Sequence, residues 1–258
     1  MNNGALPDFG RTADDYAKHR PGFPDSLFER LDRFGIGRSG QELLDWGTGT
    51  GHLARGFARR GCRALGVDIA EELLAEARRL DLAEGLEIEY RLAHVEHTGL
   101  PSRKFDVISA GQCWHWFNRK AAAQEARRLL RPGGKLLIAH FDWLALPGTV
   151  VHATEELIER HNPSWKWAGG LGTYPQWLRD AQEAGFENIE TFTYDLCVPF
   201  SREGWRGRVR ASGGIRGTLH EEGVHLFDND LAELLDRRFS DPILEIPHRV
   251  FALIASCP

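Results

Sequence analysis

The feature that most constrains this chain is a short apolar run, Glu42-Leu43-Leu44-Asp45, followed by Trp46-Gly47-Thr48-Gly49-Thr50-Gly51 and then a helical stretch from His52 to Arg60. A strand, a glycine-rich turn and a helix in that order place backbone N–H groups and a helix N-terminus beside a bound ligand. Glycines are needed there because side chains would block close approach of the backbone and because some φ values are positive. A second apolar strand, Arg63 to Val67, ends at another acid, Asp68.

The rhythm continues downstream. Glu71 to Leu80 reads as a helix with Leu73, Leu74, Ala77 and Leu80 on one face. Strands follow at Leu86–Leu92 and Phe105–Ser109, then a helix at Ala121–Leu130 stopped by the turn Arg131-Pro132-Gly133-Gly134, and a strand at Lys135–Ala139. Alternating strands and helices predict βαβ units on a parallel sheet. After about His140 the rhythm changes. Helices are expected at Thr149–His161, Pro175–Ala184 and Asp228–Phe239, and strands at Phe186–Tyr194 and Val250–Ala255. Ser164–Thr173 reads as a loop. The expected fold is therefore a single α/β domain over residues 1–258. It has a Rossmann-like, seven-stranded, mostly parallel sheet with helices on both faces. Insertions at about 145–175 and 200–240 are expected to form a small helical lid.

Composition excludes several function classes. The chain has 258 residues, enough for one large α/β domain. Net charge is −5, which argues against a broad nucleic-acid-binding face. No apolar run approaches the roughly 18 residues that a membrane span needs. The stretch from Met1 to Pro7 has neither the basic region nor the apolar core of a signal peptide. Four separated cysteines, Cys62, Cys113, Cys197 and Cys257, form no CxxC pair, fit neither a disulfide framework nor a metal site, and suit a reducing compartment. A cytoplasmic enzyme acting on a small molecule is expected, as a monomer or homodimer, with no metal, nucleic-acid or membrane partner.

Glycine spacing alone does not choose the ligand. Gly49-x-Gly51-x-x-Ala54 also satisfies the dinucleotide form of the loop. The acids separate the possibilities. Asp45, two residues before Gly47, would face a pyrophosphate unfavourably, but it can accept from the ammonium of an amino acid, directly or through water. Asp68, at the end of the next strand, is placed to take both ribose hydroxyls. Two acids bracketing the loop suit a ligand with an amino acid and a ribose but no phosphates, of which S-adenosylmethionine (SAM) is one.

Asp45-x-Gly47-x-Gly49-x-Gly51 with Asp68 resembles motifs I and II of the class I SAM-dependent methyltransferases. Further segments are similar to the broad small-molecule group that includes trans-aconitate methyltransferase. They are Asp8-Phe9-Gly10 through Tyr16, Arg20-Pro21-Gly22-Phe23-Pro24, Ala93-His94-Val95-Glu96 with Gly99-Leu100-Pro101, and Ala110-Gly111-Gln112 with His115-Trp116-Phe117. Together they cover residues 8–140. The resemblance implies that Tyr16 and Arg20 reach the carboxylate end of SAM, that Thr48 and Ile69 belong to the cofactor site, that His94, Val95 and Glu96 lie at the adenine, and that Gln112 lies near the methionine part. Many relatives carry Asp where His94 stands, which shifts the adenine contact towards the Val95 backbone. S-adenosylhomocysteine (SAH) is the implied product.

Methyl transfer from a sulfonium depends mainly on aligning the acceptor. His115 is the candidate general base, because imidazole is the side chain that titrates near neutral pH. Trp114, Trp116, Trp143 and Trp167 could line an apolar or aromatic acceptor pocket, with His140 and Asp142 after the fifth strand. Arg206, in the run Arg202, Arg206, Arg208 and Arg210, could clamp an acidic acceptor. The expected activity is methyl transfer to an O or N atom of a small metabolite. An NAD(P)-dependent oxidoreductase and a non-catalytic SAM-binding module are the alternatives.

Overall fold

The computed structural model describes residues 21–165 and 168–258. The chain forms two compact units. One comprises Gly22–Phe141, Thr173–Tyr194 and Val250–Pro258; the other includes Asp142–Gly172 and Asp195–Arg249.

The first unit opens with α1 (Asp25–Asp32), then β1 (Glu42–Trp46), α2 (His52–Ala58), β2 (Arg63–Asp68), α3 (Glu71–Glu84) and β3 (Glu89–Leu92). Next come β4 (Phe105–Gly111), α4 (Arg119–Leu129) and β5 (Leu130–Trp143). In β1 the residues Leu43, Leu44, Asp45 and Trp46 are all buried. That continuous burial, in place of alternation, marks a strand covered on both faces. Helix α3 presents Leu73, Leu74 and Ala77 inward and ends at Gly85, whose φ of 67° gives the left-handed cap that closes a helix. Helix α4 starts where the Asn118 side chain accepts from the Ala121 N–H.

The remaining elements are α5 (Val150–His161), α6 (Gln176–Glu183), β6 (Glu187–Ser201), α7 (Arg202–Arg210), α8 (Glu221–Arg238) and β7 (Ile243–Ser256). The seven strands make one sheet in the order β3-β2-β1-β4-β5-β7-β6. β1 runs parallel to β2 and β4, β2 to β3, and β4 to β5. The sheet is thus the expected Rossmann-like, mostly parallel one, and the chain switches sides between β1 and β4. Crevices for ligands form beyond the strand ends at such a switch. Trp46, Val67, Ile108, Trp114, Ala126, Ile138, Trp177 and Leu253 belong to the core of this unit. Full burial of side chains of this size contributes roughly 1.5–3 kcal/mol each.

The second unit holds α5, α7 and α8 around Val151, Leu157, Trp205, Val209, Phe227 and Leu231. Thr149 caps α5 and Ser201 caps α7, each side chain accepting a backbone N–H of the first turn. The chain passes between units at 141/142, 172/173, 194/195 and 249/250. Among the described residues, no helix is long and apolar enough to cross a membrane.

Several elements differ from their sequence expectation. Arg131–Gly134, expected as a turn, is drawn into β5, with a register irregularity between Phe105 and Val107 of its partner strand. The Gly133 N–H donates to the Cys257 carbonyl, so the pairing comes from the far end of the chain. β3 begins at Glu89, not Leu86, because the Leu86 N–H is used to close α3 on the Asp81 carbonyl. Helix α8 starts seven residues before Asp228, and α7 falls in the 200–240 stretch where a helical lid was expected without a helix being delimited at Arg202–Arg210.

Candidate functional site

In the first unit, the loop between β1 and α2 is built on glycines that must be glycines. Gly47, Gly49 and Gly51 have φ of 55°, 55° and 79°, in the left-handed region. A Cβ on Gly47 would stand 2.8 Å from the Cys113 Cβ, and one on Gly51 would stand 2.4 Å from the Tyr90 hydroxyl oxygen. The protein packs against one side of the loop so tightly that no side chain fits.

Two carboxylates hold this loop in shape. Asp45 is 1% exposed. It accepts from the Thr48 hydroxyl at 2.7 Å and from the Ser109 hydroxyl at 2.7 Å, and the Ala54 N–H of the first turn of α2 also reaches it. Burial pushes its carboxyl up to about 6, against the restraint of those three donors, and Asp68 raises it further. Ser109 stands directly opposite Asp45 on β4, across the switch point. So deep a carboxylate offers a ligand at the loop its charge.

Asp68 closes the other side. One oxygen accepts from the Gly49 N–H at 2.8 Å, and the other from the Ile69 and Ala70 N–H groups at 2.8 and 3.0 Å. Burial raises its pKa, and these N–H donors oppose the rise. A carboxylate has about four lone-pair directions. Three are used here, so one further donor can be taken without breaking a bond, fewer than the two ribose hydroxyls expected of it. Ile69, next in the chain, is exposed.

The turn after β3 carries the next expected set. Val95 is buried, His94 is exposed, and Glu96 accepts from the Asn118 N–H at 2.9 Å, which ties this turn to the start of α4. Gln112 follows β4 with φ of 66°. A non-glycine residue in that region costs of order 1–3 kcal/mol and is held by its surroundings. Here the Gln112 N–H donates to the Ala139 carbonyl and its side-chain amide donates to the Phe141 carbonyl.

His115 lies in the short turn Trp114–Trp116. Its ring centre is 4.4 Å from that of Trp116 and 5.3 Å from that of His140. His140 is 1% exposed, with Tyr174 at 4.5 Å and Trp177 at 4.8 Å. Trp114 is fully buried in the core and its indole N–H donates to Asp180 at 3.0 Å, so it packs where an acceptor-lining role was expected.

In the second unit, Trp143 donates its indole N–H to Glu155 at 2.7 Å, and the other Glu155 oxygen accepts from the Gly169 N–H at 2.7 Å. Trp205 packs edge-on to Trp143, and the Arg208 guanidinium lies 4.6 Å from its ring centre, a cation–π contact. Asp142, at the same strand end, and Arg208 both act electrostatically on the buried His248. The His248 Nδ1–H donates to the Ile246 carbonyl, and burial lowers its pKa to about 4. Arg206 forks onto Asp228 and also pairs with Glu203 at 3.0 Å, so the charge expected to clamp an acceptor is spent within α7 and α8. Tyr16, Arg20 and Trp167 lie outside the described residues.

The donor set fits SAM better than a dinucleotide. Asp45 and Asp68 act on one another across the loop and favour a cation there, whereas Arg55, beneath the loop, is neutralised by Asp81 and Glu84. Sequence reasoning missed Ser109 and Arg55, and it grouped Arg208 with the arginine run without its contact to Trp143. A lone serine in an apolar strand and an arginine on the apolar face of α2 were the signals available for the first two.

Residues 44–138 match a methyltransferase domain family. A malonyl-(acyl-carrier protein) O-methyltransferase of Enterobacter lignolyticus is 34% identical over 132 residues, 50% of this chain and 49% of that protein. The phosphoethanolamine N-methyltransferase 2 of Haemonchus contortus, solved with SAH, superposes with a TM-score of 0.58 at 20% identity, covering 97% of this chain and 57% of that one. The cyclase SpnF has a TM-score of 0.57 at 18% identity over 98% of both chains. The chain spans about half the length of the first curated relatives it matches.

Proposed function

We propose that this chain carries a class I SAM-dependent methyltransferase domain, with SAM as its cofactor, and that it transfers a methyl group to an O or N atom of a small-molecule metabolite. The observation that carries this is the pair of carboxylates, Asp45 and Asp68, bracketing a positive-φ glycine loop at the β1/β4 switch point. Backbone groups of Gly47 to Gly51 would hold the methionine part, with Tyr16, Arg20 and Gln112. Asp68 and Ile69 would take the ribose side, and His94, Val95 and Glu96 the adenine. The cofactor supplies an electrophilic methyl on a sulfonium.

The chain's own task is then to orient the acceptor, exclude water and move one proton. His115, braced by Trp116 and His140, is the candidate base. Trp116, His140, Asp142 and Trp143 are the acceptor-side candidates. Trp114 and Arg206 leave that set because packing and ion pairing already occupy them. A cytoplasmic monomer or homodimer with a small-molecule partner remains the expected setting.

The likeness to a cyclase favours a second possibility, a SAM-binding chain that does not transfer methyl. Calorimetry with SAM, SAH and NAD, followed by a metabolite screen read by mass spectrometry, separates these. SAM binding with a product heavier by one methylene unit supports the proposal. SAM binding with no methylated product favours the second possibility, and NAD binding without SAM binding refutes both.

A further inference from the structure

A buried ion pair beneath the glycine loop has no part in the function proposed above. Arg55 on α2 and Asp81 on α3 are each 3% exposed. The Arg55 Nη1 donates to Asp81 at 2.9 Å and to the Thr50 and Gly51 carbonyls at 3.2 and 3.3 Å. Its Nη2 donates to the Thr50 carbonyl at 2.7 Å. Its Nε stands 3.5 Å from Glu84, whose carboxylate also takes a fork from Arg59. The guanidinium thus joins the last two carbonyls of the loop to two acids on the next helix.

Such a pair is a poor stabiliser. Removing two charges from water costs about as much as their attraction returns, and an apolar pair of similar volume often serves stability as well. What a planar fork supplies is geometry, several directions fixed at once. The geometry in need of fixing is the peptide between Thr50 and Gly51. Gly51 has φ of 79°, and glycine takes either sign of φ at little cost. That peptide can therefore turn over locally. Turning it would break the Gly51 N–H bond to the Thr48 carbonyl, 2.9 Å long, and would swing the buried Thr50 carbonyl off the guanidinium. The loop that must present a fixed set of backbone groups is thus flexible at its own glycine and held from outside it.

We propose that Arg55, anchored by Asp81, is a positioning residue that locks the Thr50–Gly51 peptide of the cofactor loop and thereby sets the affinity for SAM and SAH. The proposal rests on the SAM assignment, and it concerns residues that act through the loop.

The test is calorimetric titration of the full chain with SAM and with SAH, alongside thermal melts and amide hydrogen exchange over the loop. Arg55→Lys keeps the charge opposite Asp81, but a single ammonium cannot serve Asp81 and two carbonyls together. Its expected result is a fall of at least about tenfold in SAM and SAH affinity, the size of one lost charge-assisted hydrogen bond, with Tm little changed and faster exchange in the loop. Should that variant not fold, Asp81→Asn removes the anchor instead, and the same direction of change is expected. Affinities within about twofold of wild type overturn the proposal. So does an affinity loss that only accompanies a collapse in Tm, which is what a packing role would give. A wild-type chain that binds neither SAM nor SAH refutes the cofactor assignment itself, whereas equal binding by wild type and Arg55→Lys refutes the positioning role alone.

Discussion

Asp45→Asn should remove the pH dependence that this one buried acid imposes on the fold. Burial raises the Asp45 carboxyl from 3.8 to about 6, despite the hydroxyls of Ser109 and Thr48 and the Ala54 N–H. A raised acid means that the folded chain holds its proton when the unfolded chain has released it. Between those two values the folded state therefore binds more protons, and stability falls as pH rises. Below 3.8 the contribution vanishes; above about 6 the loss is complete. A shift of this size corresponds to about 3 kcal/mol. Asparagine is nearly isosteric, cannot ionise, and can still bond both hydroxyls. The difference in unfolding free energy, Asp45→Asn minus wild type, should therefore rise by about 2.5 kcal/mol between about pH 4 and pH 7. Urea titrations followed by tryptophan fluorescence at fixed ionic strength measure it, and titrations common to both proteins cancel in the difference. A difference that stays flat within about 1 kcal/mol, or falls with pH, would refute the reasoning, since one pKa unit is worth about that much. A chain that keeps such a charge has reason to expect a cation beside it, and SAM should recover part of the lost stability by binding the folded state.

Other substitutions read the same site. Gly51→Ala places a Cβ 2.4 Å from the Tyr90 oxygen and 2.9 Å from Arg55 Nη1 at a φ of 79°, so SAH affinity should fall more than about tenfold; adding Tyr90→Phe should restore only part, because the backbone strain remains, and calorimetry decides. Asp68→Ala strips acceptors from the Gly49, Ile69 and Ala70 N–H groups and should lose most SAM affinity; unchanged binding would count against Asp68 as a cofactor residue. His115→Gln should leave SAH binding nearly intact while slowing turnover by about 10²- to 10⁴-fold on whichever acceptor the metabolite screen identifies. An unchanged rate would make His115 a packing residue.

What was legible in the sequence was what short stretches of chain decide for themselves. The β1–loop–α2 unit and the two acids announce themselves within 27 residues, from Glu42 to Asp68, because glycine φ, strand burial and helix start are local matters. Ser109 was not legible as the partner of Asp45, since it comes from 64 residues away and is set by sheet order. Helix α7 was not delimited because Gly204 and Gly207 interrupt Arg202–Arg210, outweighing the good helix propensity of its arginines and Glu203. It is held by its Ser201 cap, by buried Trp205, and by pairs from Arg206 and Arg210 to Asp228. The helix also sorts its arginines. Arg206 and Arg210 are four apart and share the face turned to Asp228, while Arg208 points away from them onto Trp143. Without the helix, the run cannot be divided that way.

The chain passes between its two units at four described points, two of them inside strands β6 and β7 and one inside β5. Neither unit can therefore be cut out as one piece, or exchanged for another by a single splice. The interleaving is mutual: the first unit's segments 173–194 and 250–258 each lie beyond a segment of the second. Each unit therefore closes a loop that carries the other's chain, and every such closure costs conformational entropy.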